Sequence, residues 1–288
     1  MKIGVSAFAW TTKLNQTHLD LLPSLREHGI EGFEIPMFDP AEFDTKALRR
    51  TFEASDLECT VCAILPTGTN PISPNATDRK KAQMHIAQCI ETAAAIGAHT
   101  MGGPLYAPIG YLPGRRRTQD EWLWAVECFQ ALGEVLDRYE MTLGIEPVNR
   151  SESFFVNTAA EASALCDAVA QPRVGVLIDT FHANIEEKNI AASVSAAGQR
   201  LKHLHASEND RGLLGSGHVD FPAIVAALKE IGYGGYLMIE GFGYSASEEN
   251  LLGALWGDLA VSPEDIAIEG ARYLQRLLES TSAPPSTQ

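Results

Sequence analysis

The chain has 288 residues, 45% of them hydrophobic and 20% charged, with a formal net charge of −15. That is enough for one large buried core, and the charge repels nucleic acid and anionic membrane, whose hold on proteins rests on lysine and arginine neutralising phosphate. Met1-Lys2-Ile3-Gly4-Val5 lacks the uninterrupted apolar stretch of a signal peptide, and no apolar run reaches the ~18 residues of a membrane span. A cytoplasmic protein acting on a small neutral or cationic molecule is therefore expected.

Short apolar runs alternate with 3.6-period segments from end to end. Strands are expected near 3–8, 32–36, 58–64, 98–103, 142–146, 174–179, 201–206 and 236–240. The first turn, Ser6-Ala7-Phe8-Ala9-Trp10, carries no glycine fingerprint, so an open doubly wound sheet with a dinucleotide site is set aside. In the third strand Cys59-Thr-Val-Cys62 spells C-x-x-C, but positions three apart on a strand point to opposite faces. The five cysteines, an odd number scattered through apolar segments, are read as reduced and buried.

Asn75 to Thr77 opens a helix through Ile96 that Gly97 ends. After the fourth strand, Gly102-Gly103-Pro104-Leu105-Tyr106 leads to Arg115-Arg116-Arg117, which either grip a phosphate or form a solvated loop charge run. Thr118 to Asp120 precedes a helix from Trp122 to Tyr139, and Asn157-Thr158 precedes one ending near Gln171-Pro172. Asp220-Phe-Pro222 opens a helix that Gly232 stops, and Ser262-Pro263 opens the last. Eight strands alternating with eight helices imply a single (β/α)8 TIM barrel over residues 1–279, with a Pro- and Ser-rich flexible tail over 280–288.

Four of the later strands end in a charged or imidazole residue: Glu146, Asp179, His205 and Glu240, spaced 33, 26 and 35 residues apart. Such spacing supplies one group per βα unit, and the C-terminal strand ends of a barrel converge on one rim. Three carboxylates and an imidazole form a hard, anionic set suited to Mn²⁺, Mg²⁺ or Co²⁺ rather than zinc. His203 and His205 share a strand face, so either can be the ligand; His205 is nearer the end, with His203 a layer deeper.

Loops beyond these strands bring Asn149, Arg150 and Glu152, then Thr180, Phe181 and His182, then Glu208, Asn209 and Arg211. Residues in loops at this rim orient substrate. The aromatics Phe8, Trp10, Tyr106, Phe181 and Phe242 are placed near the same rim as an apolar wall against a sugar; the helical Trp122 and Trp124 are read as packing.

Three blocks carry a family resemblance: Ile145-Glu-Pro-Val-Asn-Arg150-Ser-Glu152 continuing to Asn157-Thr-Ala-Ala160, then Asp179-Thr-Phe-His182-Ala-Asn-Ile-Glu-Glu187, then His203-Leu-His205-Ala-Ser-Glu208-Asn-Asp-Arg211. They resemble the motifs of the ketose 3-epimerases, the D-tagatose and D-allulose 3-epimerase group of the xylose-isomerase-like barrels. The resemblance implies that Glu146, Asp179, His205 and Glu240 hold one divalent ion, usually manganese, cobalt or magnesium. It further implies that Glu152, His182 and Arg211 hold the C1 to C3 end of a ketose, and that Glu146 and Glu240 transfer protons on opposite faces through a cis-enediolate. No nucleotide or organic cofactor is implied, and homodimers or homotetramers are.

The segment from Gly241 to Glu249 is where such enzymes shape the far end of the sugar, and it matches no motif residue by residue. The same scaffold resembles inosose dehydratases, C-glycoside-cleaving enzymes and hydroxypyruvate isomerases, so a lyase or a different isomerase on one site is the alternative reading. A DNA-repair endonuclease of this superfamily would need a basic groove and more strand-end histidines than these eight provide.

Overall fold

Each expected apolar run forms a strand, and the strands pair in parallel and in sequence order: β1 (Lys2–Ser6), β2 (Gly32–Met37), β3 (Glu58–Ala63), β4 (Thr100–Gly103), β5 (Thr142–Ile145), β6 (Val174–Asp179), β7 (Leu201–Ala206) and β8 (Tyr236–Ile239). β8 pairs back onto β1, closing a (β/α)8 barrel. The computed structural model describes residues 1–242 and 261–280. Most of the segment from Gly241 to Glu249 and the residues from 281 onward lie outside them. The last described helix, Pro263–Ser280, runs one residue past the expected domain end.

Strand alternation divides the side chains between two environments. Outward residues such as Ile3, Val5, Phe33, Ile35, Val61, Leu143, Ile178, Leu204 and Ile239 join the helices in one continuous apolar cluster. Burying each stabilises the wall by roughly 1.5–3 kcal/mol. The inner face is different. Gly102 and Gly144 leave the room that Leu177 fills, since a Cβ on either would come within 2.3 and 3.0 Å of its side chain. Gly103, at φ +138°, sits where a Cβ would lie 2.2 Å from the Ala63 carbonyl, so only glycine closes the β4 end this tightly.

Local signals explain most helix boundaries. Asn75, Thr118, Thr158 and Asp220 each cap a helix with a side-chain oxygen, and Gly97 ends the long helix Ala76–Ile96 in the left-handed region. Among the described residues there are eleven α-helices rather than the eight expected. The expected Trp122–Tyr139 helix is two, Gln119–Gln130 and Gly133–Arg138, because Leu132 bonds back only three residues to Phe129 and Gly133 follows. The first strand stops at Ser6, whose hydroxyl accepts the Phe8 amide at 3.4 Å and turns the chain into a 3-10 segment, Ala7–Ala9. After β6 the chain does not enter a loop but a helix, Thr180–Glu186, with Asp179 as its cap.

Candidate metal centre and active site

Period-two alternation puts Asp179 and His205 on the inner face at the ends of β6 and β7, and Glu146 and Glu240 immediately beyond β5 and β8. The structure brings one ligand atom from each of the four within 4.8 Å of the others, and all four are buried. His205 Nδ1 lies between the two glutamates, 3.7 Å from Glu146 Oε1 and 3.5 Å from Glu240 Oε2. Among the described residues it has no hydrogen-bond partner. An imidazole nitrogen left bare among carboxylate oxygens is the donor arrangement of a hard cation site, and the residues fit one.

The charge balance points the same way. Glu34, Glu146, Asp179 and Glu240 are all buried at this end of the barrel, faced among the described residues by one arginine and by histidine. Burial raises the Glu146 carboxyl to about 7, against the pull of His205, while the neighbouring Glu240 and Asp179 charges add to the rise. Burial also opposes the charge on Asp179, but Arg211, His182 and His205 hold that carboxyl well below the usual range. For His205 the carboxylates of Glu34, Glu240 and Glu146 outweigh burial and push its ring well above the ordinary value.

Arg211 was expected to hold substrate; the structure places its guanidinium between two of the candidate ligands. It donates to Asp179 Oδ2 at 2.6 Å and Ser207 Oγ at 2.8 Å, and also pairs with Glu240. Its face lies 4.2 Å from the Phe181 ring and 5.0 Å from that of Phe242. The backbone of Arg211 is left-handed, at φ +64°, a conformation costing a non-glycine residue about 1 kcal/mol or more. Glu208 steadies that loop by accepting the amides of Asn209, Gly215 and Val219 at 2.9–3.1 Å.

His182 comes from the first turn of the helix Thr180–Glu186, so Asp179 serves twice: Oδ1 caps that helix at 2.9 Å while Oδ2 faces the site. The Asn149 amide and side chain face His182 Nδ1 at 3.3 and 3.0 Å, and the Arg211 guanidinium faces Nε2 at 3.3 Å, so donors meet both ring nitrogens. Nε2 also faces Asp179 at 3.6 Å and Glu146 at 3.9 Å. Burial lowers the His182 ring to about 3, with Asp179 opposing and Arg211 and His205 reinforcing, so it is neutral. Glu152 accepts the same Asn149 side chain at 2.7 Å and is half-exposed at the edge of the site.

Of the aromatics, Phe8 stands 5.7 Å from Phe242 and shares a small cluster with it and Cys62. Two others require correction. The Trp10 indole donates to Glu264 at 2.9 Å and packs on Phe33, which faces outward, so it ties the last helix to the barrel wall. The Tyr106 hydroxyl donates to the Val156 carbonyl at 2.9 Å and accepts the Val148 amide at 3.2 Å, and its ring is fully buried against Phe155 and offers no exposed face to a sugar. Two of the three arginines of the fourth loop are also committed within the protein. Arg115 forks onto Glu121, and Arg117 pairs with Glu161, which removes both from any phosphate grip. All five cysteines are buried and free, and burial raises the Cys89, Cys128 and Cys166 thiols to about 12.

Glu34 is the residue that reading strand ends missed. Its oxygens lie 2.9 Å from His203 Nε2 and 3.0 Å from His205 Nε2, and it accepts the Thr60 hydroxyl at 3.1 Å. The available signal was a lone carboxylate amid Phe33, Ile35 and Pro36 in a strand with no polar partner on its own element. His203 reaches Glu34 but not the rim carboxylates, which settles its place a layer below His205.

The family described as xylose isomerase-like TIM barrel matches residues 22–277. The L-ribulose 3-epimerase of Mesorhizobium japonicum is 31% identical over 264 residues, 90% of this chain and 88% of the relative. A solved L-ribulose 3-epimerase superposes with a TM-score of 0.91 at 27% identity, covering 100% of both chains. The D-allulose 3-epimerase from Methylomonas sp., solved in complex with D-allulose, gives 0.89 at 27% identity over 96% of each.

Proposed function

This chain belongs to the xylose isomerase-like TIM barrel family, and from that membership we propose that it is a carbohydrate isomerase inverting C3 of a free ketose. One observation carries the reading: two glutamates from the ends of β5 and β8 flank an imidazole nitrogen that has no hydrogen-bond partner among the described residues, amid more buried negative charge than those residues neutralise. The relatives named as 3-epimerases of L-ribulose and D-psicose supply the substrate class.

In this reading Glu146, Asp179, His205 and Glu240 hold one divalent ion, manganese before cobalt or magnesium. The ion supplies Lewis acidity to the sugar's C2 carbonyl, which acidifies the proton on C3. Glu146 and Glu240 take that proton from one face and return one to the other through a cis-enediolate, inverting the carbon. His182 and Glu152, both positioned by Asn149, hold the C1 to C3 end. Arg211 keeps the carboxylate pair in register, and Phe8 and Phe242 exclude water from the carbanion-like stage.

The free buried thiols favour a reducing cytoplasm, and a homodimer or homotetramer is the assembly we adopt from the family resemblance. Among the described residues no helix is long and apolar enough to cross a membrane.

The test is incubation of the manganese-loaded protein with D-fructose, D-tagatose, D-allulose and L-ribulose in heavy water. Deuterium at C3 of a recovered sugar and its epimer is the expected result. No C3 deuterium in any of them, or a dehydrated product in place of an epimer, overturns the proposal.

A further inference from the structure

We propose that Glu34 is the positioning residue that fixes the tautomer and orientation of His205, so that Nδ1 is the ring atom offered to the cation. The inference rests on the metal-centre reading above and adds a residue that no strand-end pattern marks.

Glu34 sits on the inner face of β2, fully buried, and reaches across the barrel to β7. Its Oε2 is held by His203 Nε2 at 2.9 Å and by the Thr60 hydroxyl at 3.1 Å. Its Oε1 lies 3.0 Å from His205 Nε2 but off the ring's N–H axis, an ion-pair contact short of a hydrogen bond, and among the described residues neither of these two buried atoms has a hydrogen-bond partner. A carboxylate between two imidazoles is an acceptor for both, so once a cation has displaced the His205 Nδ1 proton each ring carries its proton on Nε2 alone. The two rings are then chemically alike, and position separates them. His205 Nδ1 opens toward Glu146 and Glu240, whereas among the described residues His203 has only Glu34 as an ionic partner. His203 and Thr60 thus act as a brace, pinning one oxygen of Glu34 so that the other stays on His205. A carboxylate behind a metal-bound histidine fixes the ring and strengthens it as a donor, and its removal weakens metal binding roughly 10–100-fold.

Glu34, His203 and His205 also satisfy the spacing of a cation site of their own, so stoichiometry is part of the test. Metal-stripped wild type, Glu34→Ala and Glu34→Gln are titrated with Mn²⁺ by calorimetry. Long-range ¹H–¹⁵N spectra of histidine-labelled, magnesium-loaded protein report the tautomers. The expected result is one ion per wild-type chain, His205 protonated on Nε2 alone, and binding by Glu34→Ala weaker by roughly 10–100-fold with that proton's signal lost. Glu34→Gln, whose carbonyl can still accept from one ring, falls between, and it carries the test if Glu34→Ala does not fold. Binding by both variants within twofold of wild type with unchanged ring spectra overturns the inference. So does a second ion per wild-type chain that Glu34→Ala abolishes. Failure of the wild type to bind any ion sinks the metal centre itself, an outcome distinct from either.

Discussion

The two ends of the barrel interior use the same kinds of residue to opposite effect. At the floor, Lys2 pairs with Glu58, the Tyr236 hydroxyl donates to Glu58 at 2.5 Å, and the ammonium lies 5.6 Å over the tyrosine ring. One cation meets one anion there, and solvent reaches both. At the mouth, Glu34, Glu146, Asp179 and Glu240 converge with one arginine and a histidine nitrogen left bare. Burying charge without full pairing costs several kcal/mol, so the floor reads as structure and the mouth as a site built for a cation and for proton transfer.

The sharpest way to break this contrast is to remove one mouth carboxylate. Glu146→Gln and Glu240→Gln should each lower kcat for C3 epimerisation by roughly 10²–10⁴-fold, assayed at manganese concentrations that saturate each variant. A variant retaining turnover within tenfold of wild type would exclude that glutamate from proton transfer. Next in size is removal of the ion. Stripping the protein with a chelator should lower its melting temperature by roughly 5 °C relative to protein held at a hundredfold excess over Kd, where bound ligand stabilises by about 2.7 kcal/mol. Scanning calorimetry with and without manganese checks it, and coincident melts would mean that the carboxylates are not sharing an ion.

How far the sequence reveals this contrast depends on whether a residue's role follows from periodicity. Glu146, Asp179, His205 and Glu240 could be placed because a strand's period carries an inward residue to a known rim, and the structure assembles them there. The caps at Asn75, Thr118, Thr158 and Asp220 were equally legible, being local chemistry. Glu34 was not, since its partners Thr60, His203 and His205 lie 26 or more residues away, on other strands. Trp10 and Tyr106 went astray for a related reason: past a strand end no period constrains direction, and Glu264 and Val156 captured their polar groups. The helix after β6 was hidden because Asp179, Phe181 and His182 were read for chemistry, when the aspartate is also the cap that starts it.

The mouth should also respond to pH where the floor does not. With Glu146 titrating at about 7 and His205 raised, both carry protons under mildly acidic conditions that a cation must displace. Manganese affinity should therefore climb as pH rises from about 5.5 to 7.5, by up to roughly tenfold per unit for each proton released. Calorimetry in buffers of different ionisation enthalpy counts those protons. An affinity that stays flat across this range would show that neither group faces the ion.

The smallest effect is expected at the floor, and its smallness is the point. Burial opposes the Glu58 charge, but hydrogen bonds from Lys2 and Tyr236 hold its carboxyl below the ordinary value. A depressed carboxyl stabilises the fold above its unfolded pKa, and the contribution is lost as pH falls through the folded value. With 60% of the Glu58 side chain exposed, screening limits the pair to about 1 kcal/mol or less. Lys2→Met should then lower the melting temperature by about 2 °C at pH 7, with the gap to wild type closing as pH drops below the carboxylate range. Manganese affinity and kcat should not move. If Lys2→Met weakened the ion as strongly as a rim substitution does, the two ends of the barrel would be coupled through its interior rather than divided between stability and chemistry.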